Sequence, residues 1–160
     1  MLVDAQCSDQ SLWASVWDYQ RYALYELGEK EAAIALCERS IETLSKITLW
    51  DYLAEFNPIR HALRAMHNLL AYQNYETAKE LTELKKGLDH SNKSFSIISP
   101  IEDEEALNPF YETKALLLHR AKGFDQKYDK ELERTLSKIK KLKLQEEGVL
   151  SEEFLKIFKW

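Results

Sequence analysis

The sequence predicts an all-α fold of six to seven helices arranged as successive antiparallel helical hairpins. Three observations predict it. Apolar residues recur at three- and four-residue spacing through most of the chain. Glycines and Asn-Pro pairs punctuate those stretches where helices end and begin. No stretch alternates apolar and polar residues convincingly, β-branched clusters are scarce, and residues 95–98 are the one weak strand candidate.

The elements follow in order. Ser8 or Asp9 can cap a first helix to about Leu27, with Trp13, Trp17, Leu24 and Leu27 at helical spacing. Gly28 suits the left-handed position beyond a helix end. A second helix over about 29–46 places Ile34, Cys37, Ile41 and Leu44 on one stripe, and a short segment over 49–56 follows. Asn57-Pro58 is a start signal, because Asn caps and Pro at the first position lacks an N–H that would be unpaired anyway. Ile59, Leu63, Met66 and Leu70 carry that helix to about Gln73. Asn74 then caps a helix with Ala78, Leu81 and Leu84 on one face, ending near Gly87. Residues 89–100, rich in Ser and polar groups, read as a flexible loop.

Asn108-Pro109 repeats the start signal for a helix to about Ala121, and Gly123 breaks it. Asp125 or Asp129 caps a helix bearing Tyr128, Leu132, Thr135, Ile139 and Leu142, which Gly148 ends. Ser151 caps a last short helix with Phe154, Ile157 and Phe158. Turns near Gly28, Gln73 and Gly123 define three helical hairpins. A hairpin cannot bury its apolar face alone, so the three are expected to stack.

Composition narrows the function classes. The chain has 160 residues, 45% of them hydrophobic, which suits one globular domain over 1–160 rather than disorder. No apolar run approaches the ~20 residues of a membrane span. Met1-Leu2-Val3-Asp4 lacks the basic start and apolar stretch of a secretory signal, so the expected compartment is cytoplasmic. The formal net charge is -5; residues 1–80 hold 7 basic and 12 acidic side chains, and residues 81–160 hold 15 of each. A dedicated nucleic-acid binder carries a net basic domain, so nucleic acid is not the expected partner.

Residues 17–45 resemble a tetratricopeptide repeat. Trp17, Gly28, Ala33 and Ser40 fall at the family's offsets, while Gln20-Arg21 replaces its usual Leu-Gly pair and Ser45 its closing Pro. Residues 73–78, Gln-Asn-Tyr-Glu-Thr-Ala, are a poorer second match. The resemblance implies a concave face that binds peptides or protein helices. The chain also has the general look of small helical antitoxins and immunity proteins.

Arg60, Arg64 and His67 lie at i, i+4 and i+7, on one helix face. Arg60 and His67, with six residues between them, resemble the Arg–His motif of the HEPN family of small helical ribonucleases. The resemblance implies His67 as acid or base and an arginine holding the phosphate, without metal. The competing reading is a solvated polar stripe. The HEPN motif also normally sits late in its bundle, whereas several more helices follow here.

Other chemistry is thin. His61 and His67 point to different sides of a helix, His119 sits at a helix end, and no metal site or cofactor is expected. No nucleophile elbow or phosphate loop occurs. Cys37 reads as a buried hydrophobe, and nothing marks Cys7 as activated. Lys138, Lys140, Lys141 and Lys143 read as a solvated helix end. Glu102-Asp103-Glu104-Glu105 supports a helix start or offers an acidic docking patch. Trp13, Trp17, Tyr19, Tyr22 and Tyr25 cover more than one face of the first helix, leaving a second aromatic stripe for a partner. Phe154, Leu155, Ile157, Phe158 and Trp160 form another apolar cluster that must dock on its own bundle or another chain. The expected function is a non-catalytic protein-binding module: an adaptor, a complex subunit or an antitoxin-like inhibitor. It would use the aromatic first helix, the C-terminal cluster or the acidic surface. The alternatives are a HEPN-like ribonuclease using Arg60 and His67, and a homodimer packed through the C-terminal cluster.

Overall fold

The computed structural model describes residues 2–46, 58–97, 107–142 and 150–160, with side chains from residue 10 onward. Every regular element among the described residues is helical, so the fold is all-α. The helices are α1 (Leu2–Glu26), α2 (Lys30–Leu44), α3 (Pro58–Thr77), α4 (Leu81–Ile97), α5 (Asn108–Lys122), α6 (Asp129–Lys141) and α7 (Glu152–Phe158), with a 3-10 turn at Gln126–Tyr128. The chain divides into two compact units. The first is Met1–Leu70 with Lys93–Ser99, and the second is Ala71–Asn92 with Pro100–Trp160.

In the first unit, α1 and α2 pack side by side. Gly28 turns the chain between them at φ +82, a left-handed value open to glycine because it has no Cβ. Gly28 N–H donates to the Tyr25 carbonyl and Glu29 N–H to that of Leu24, satisfying groups that the end of α1 leaves open. The core joins Ala14, Ala33, Cys37 and Leu44 to Ile59, Leu63, Met66, Leu69 and Leu70 of α3. Ile34 and Ile41, expected on one stripe with Cys37 and Leu44, are partly buried against this core, and Leu36 and Ser40 are buried beside Cys37.

In the second unit α5 is central. Ala115, Leu116, Leu117, Leu118 and Ala121 are all fully enclosed. Around them pack Tyr75, Leu84, Leu88, Leu132, Ile139 and Phe154. Pro109 stands in the first turn of α5 as expected, but Leu107 precedes the helix and Asn108 is its buried first residue rather than its cap. Asp125 caps the 3-10 turn, accepting from Lys127 N–H at 3.0 Å. The Ser151 hydroxyl caps α7, accepting from Phe154 N–H at 3.2 Å.

The structure corrects three expected boundaries. Helix α1 begins at Leu2, ahead of Ser8 and Asp9. Helix α3 runs through Gln73 and Asn74 to Thr77, and Asn74 accepts a backbone bond from Ala78 N–H instead of capping a new helix. The start of α4 is set by Glu83, whose carboxylate reaches back to the N–H groups of Lys79 (2.5 Å) and Glu80 (3.1 Å), the acidic half of a capping box.

The expected loop over 89–100 and the weak strand over 95–98 are helix through Ile97. Leu84, Gly87, Leu88, Ser91 and Ser94 are all buried at helical spacing. The serines that read as loop are small residues on a packed face, and Ser94 donates to the Arg64 carbonyl at 3.0 Å. Gly87 does not end the helix. A Cβ there would meet Leu117 Cδ2 at 2.7 Å and Asn74 Cβ at 2.9 Å, so the glycine admits a close approach. Asn57, Gly148, Lys143, residues 49–56 and the acidic run 102–105 lie outside the described residues.

Candidate protein-interaction face

At 100° per residue, α1 presents two opposed apolar faces. The inner one carries Ala14, Trp17, Arg21 and Leu24, flanked by Asp18 and Tyr25. Ala14 is fully buried, and Trp17, Leu24 and Tyr25 pack against the first core. The outer face carries Leu12, Val16, Tyr19 and Ala23 at i, i+4, i+7 and i+11, flanked by Trp13 and Tyr22. All of these are exposed; Tyr19 is 77% accessible. The chain therefore divides the five aromatics: Trp17 and Tyr25 face inward, while Trp13, Tyr19 and Tyr22 face water. Trp13 leans on Trp17, ring centroids 6.1 Å apart.

Leu27 is expected at helical spacing at the end of the first helix. It falls in the turn after α1 ends and is 78% accessible. Leu12, Val16 and Leu27 were not singled out by sequence reasoning as surface groups. The signal available was that Asp18 and Arg21 mark one flank of the helix as electrostatically committed.

Asp18 links this pair to α3 within the unit through His61. Arg21 donates Nε and Nη2 to Asp18 Oδ1 at 3.0 and 2.7 Å. The other Asp18 oxygen lies 3.6 Å from His61 Nε2. His61 Nδ1 lies 3.2 Å from Arg64 Nη2. Arginine can only donate, so Nδ1 accepts and the His61 proton sits on Nε2, toward Asp18. Burial pushes the Cys37 thiol up to about 12, so it is a core group rather than a nucleophile.

The Arg60–Arg64–His67 trio is not a solvated stripe. Arg64 and His67 are each only 5% accessible and Arg60 is half-buried. Ribonuclease chemistry would need His67 within hydrogen-bond reach of a phosphodiester. In this arrangement the His67 side chain is largely enclosed.

The C-terminal aromatics also turn inward, within the second unit. Phe154 is fully enclosed, and Phe158 and Trp160 are partly buried against the same core, which is the own-bundle docking among the two expected for this cluster. Phe154 sits 4.5 Å from the Phe158 ring and 5.4 Å from that of Trp160. Lys140 lies over Trp160 at 5.1 Å. Glu153 ties α7 down by accepting from Tyr75 (2.8 Å) and Tyr72 (3.2 Å). Burial and that carboxylate push the Tyr75 phenol upward, keeping it a donor. Leu155, Ile157, Phe158 and Trp160 keep part of their surface exposed around the enclosed Phe154.

An open depression of 260 Å³ in the second unit is lined by Lys85, Leu88, Asp89, Asn92, Tyr128 and Glu131. Lys114 already spans its Asn92 and Glu131 edges at 3.2 and 2.8 Å. Among the described residues no three His, Cys, Asp or Glu side chains converge as metal ligands, and no helix is long and apolar enough to cross a membrane. Comparison of the chain with protein-family models, with curated proteins and with solved structures found no match.

Proposed function

We propose that the chain is a non-catalytic protein-binding module whose interface is the outer face of α1. One observation carries this reading. The exposed large hydrophobics among the described residues are Leu12, Trp13, Val16, Tyr19, Tyr22, Leu27 and Phe124, and all but Phe124 lie on α1 or the turn that ends it. Scattered exposed apolar residues need no explanation, but a contiguous stripe does. Its content of Trp and Tyr is that of binding hot spots. The tetratricopeptide resemblance of residues 17–45 points the same way.

The test is a photo-reactive residue at position 19 of the full chain, activated in the native host, together with the variant Trp13→Ala/Tyr22→Ala. The expected result is one dominant cross-linked protein, lost in the variant. Truncating a buried hot-spot aromatic costs about 2 kcal/mol or more, roughly a thirtyfold loss of affinity. Both side chains are exposed, so far-UV circular dichroism should show the variant as helical as the parent. An uncross-linked chain, or cross-links unaffected by the substitutions, would sink the reading.

A further inference from the structure

We infer that the α1 face receives an amphipathic helix of another protein, its apolar stripe edged with Lys and Arg and most densely basic beside Glu26 and Glu29. The inference rests on the protein-binding reading above and adds the chemistry of the partner.

The shape of the face fits a helix. From Leu12 to Leu27 it runs roughly 22 Å at 1.5 Å per residue, about four turns. Its bulky groups flank Ala23, a small residue that leaves room for a knob from a facing helix. Helix-in-groove recognition uses anchors at i, i+3 or i+4, and i+7, the same repeat that the face itself presents.

The charge around it selects the edges of that helix. The cations of the α1–α2 hairpin are largely engaged: Arg21 is held by Asp18, Lys30 lies over the Tyr25 ring at 5.3 Å, and Lys46 pairs with Glu42 at 3.1 Å. On its solvent side stand exposed Glu26, Glu29, Glu31 and Glu38, against exposed Arg39. The last turn of α1 holds no basic residue, and the exposed carboxylates of Glu26 and Glu29 stand at that end of the face. Two apolar occupants from this chain fit poorly. Segment 47–56 carries Asp51 and Glu55 and no Lys or Arg, and a second copy would bring its own acidic rim. Like charges facing each other oppose association.

The test pairs two synthetic helical peptides with the position-19 cross-linker. The peptides share one leucine stripe; one is flanked by Lys and Arg, the other by Glu. The full chain should bind the basic peptide at least about tenfold more tightly, with the preference shrinking as salt rises. Glu26→Lys/Glu29→Lys should reverse the preference, and Trp13→Ala/Tyr22→Ala should abolish binding of both. The peptide cross-linked in the host should carry an apolar helical repeat edged with basic residues. Equal binding of the two peptides, or an acidic cross-linked segment, overturns the partner chemistry while leaving the protein-binding reading intact. A cross-link to residues 47–56 or to α1 of a second copy overturns it in favour of self-occupancy. No cross-link and no peptide binding overturns both.

Discussion

Adding one methyl group at Gly87 would place it 2.7 Å from Leu117 Cδ2, 2.9 Å from Asn74 Cβ and 3.3 Å from the Ala71 carbonyl oxygen. Alanine is the better helix former by about 1 kcal/mol. Overpacking typically costs about 1–3 kcal/mol, and two of the three atoms belong to positions that cannot swing aside. Gly87→Ala should therefore lower the urea midpoint; a raised midpoint would refute the close approach. Gly28 is the opposite case, with nothing within 4 Å of an added Cβ but a φ of +82. Gly28→Ala should cost about 1–2 kcal/mol through backbone strain alone, and Gly28→Asn less. The two glycines looked alike in the sequence, both following apolar periodicity, because space around a residue is not a local property. His119 titrates by similar logic. Partial desolvation beside the Phe158 ring, then the nearby Lys122, holds its imidazole below the ordinary value. The unfolded chain then takes up a proton first, so stability should fall as pH drops below about 6.5 and level off below the folded value. Replacing His119 with Gln should flatten that slope in urea titrations between pH 7 and 5. The bonds that lower Glu83 and Asp125 act in a separate window, below about pH 4.

At the scale of elements, Arg120 of α5 forks to the carbonyls of Tyr75 and Ala78, where α3 gives out, and lies 5.7 Å from the Tyr75 ring. It satisfies carbonyls that a helix end leaves open. Arg120→Ala should cost about 1.5–3 kcal/mol, and Arg120→Lys should recover little because an ammonium cannot reproduce the planar fork. Amide exchange at the end of α3 should rise selectively; an unchanged exchange rate there would count against the cap. This contact was illegible in the sequence, since its partners stand more than forty positions apart. The existence of most elements was legible, because Gly28, Pro58, Pro109 and Ser151 act through local backbone chemistry. The junction between α3 and α4 was not. Asn74 is a good cap in isolation, but the helix continues past it, and the working signal, Glu83, lies inside the helix it starts. Likewise Ser91 and Ser94 have loop-like chemistry and only their burial makes them helical.

For the whole molecule, charge and surface act together. The net charge of -5 falls to zero near pH 5.5, where repulsion between copies vanishes while the outer face of α1 stays apolar. Light scattering should show a solubility minimum near that pH, and Trp13→Gln/Tyr19→Gln/Tyr22→Gln should remove most of it. A minimum of equal depth in the variant would place the sticky surface elsewhere. The sequence announced that α1 had aromatics to spare but not which of them would stay in water. Helix α1 could bury either face on hydrophobicity alone, and rolling it by about half a turn would exchange the two. The Asp18–Arg21 pair turns with the helix, but only the observed setting brings Asp18 within 3.6 Å of His61 on α3. The Asp18–His61 contact thus works like the key on a shaft: it marks one angular phase of the helix, and the surface that the molecule shows to its surroundings is the remainder.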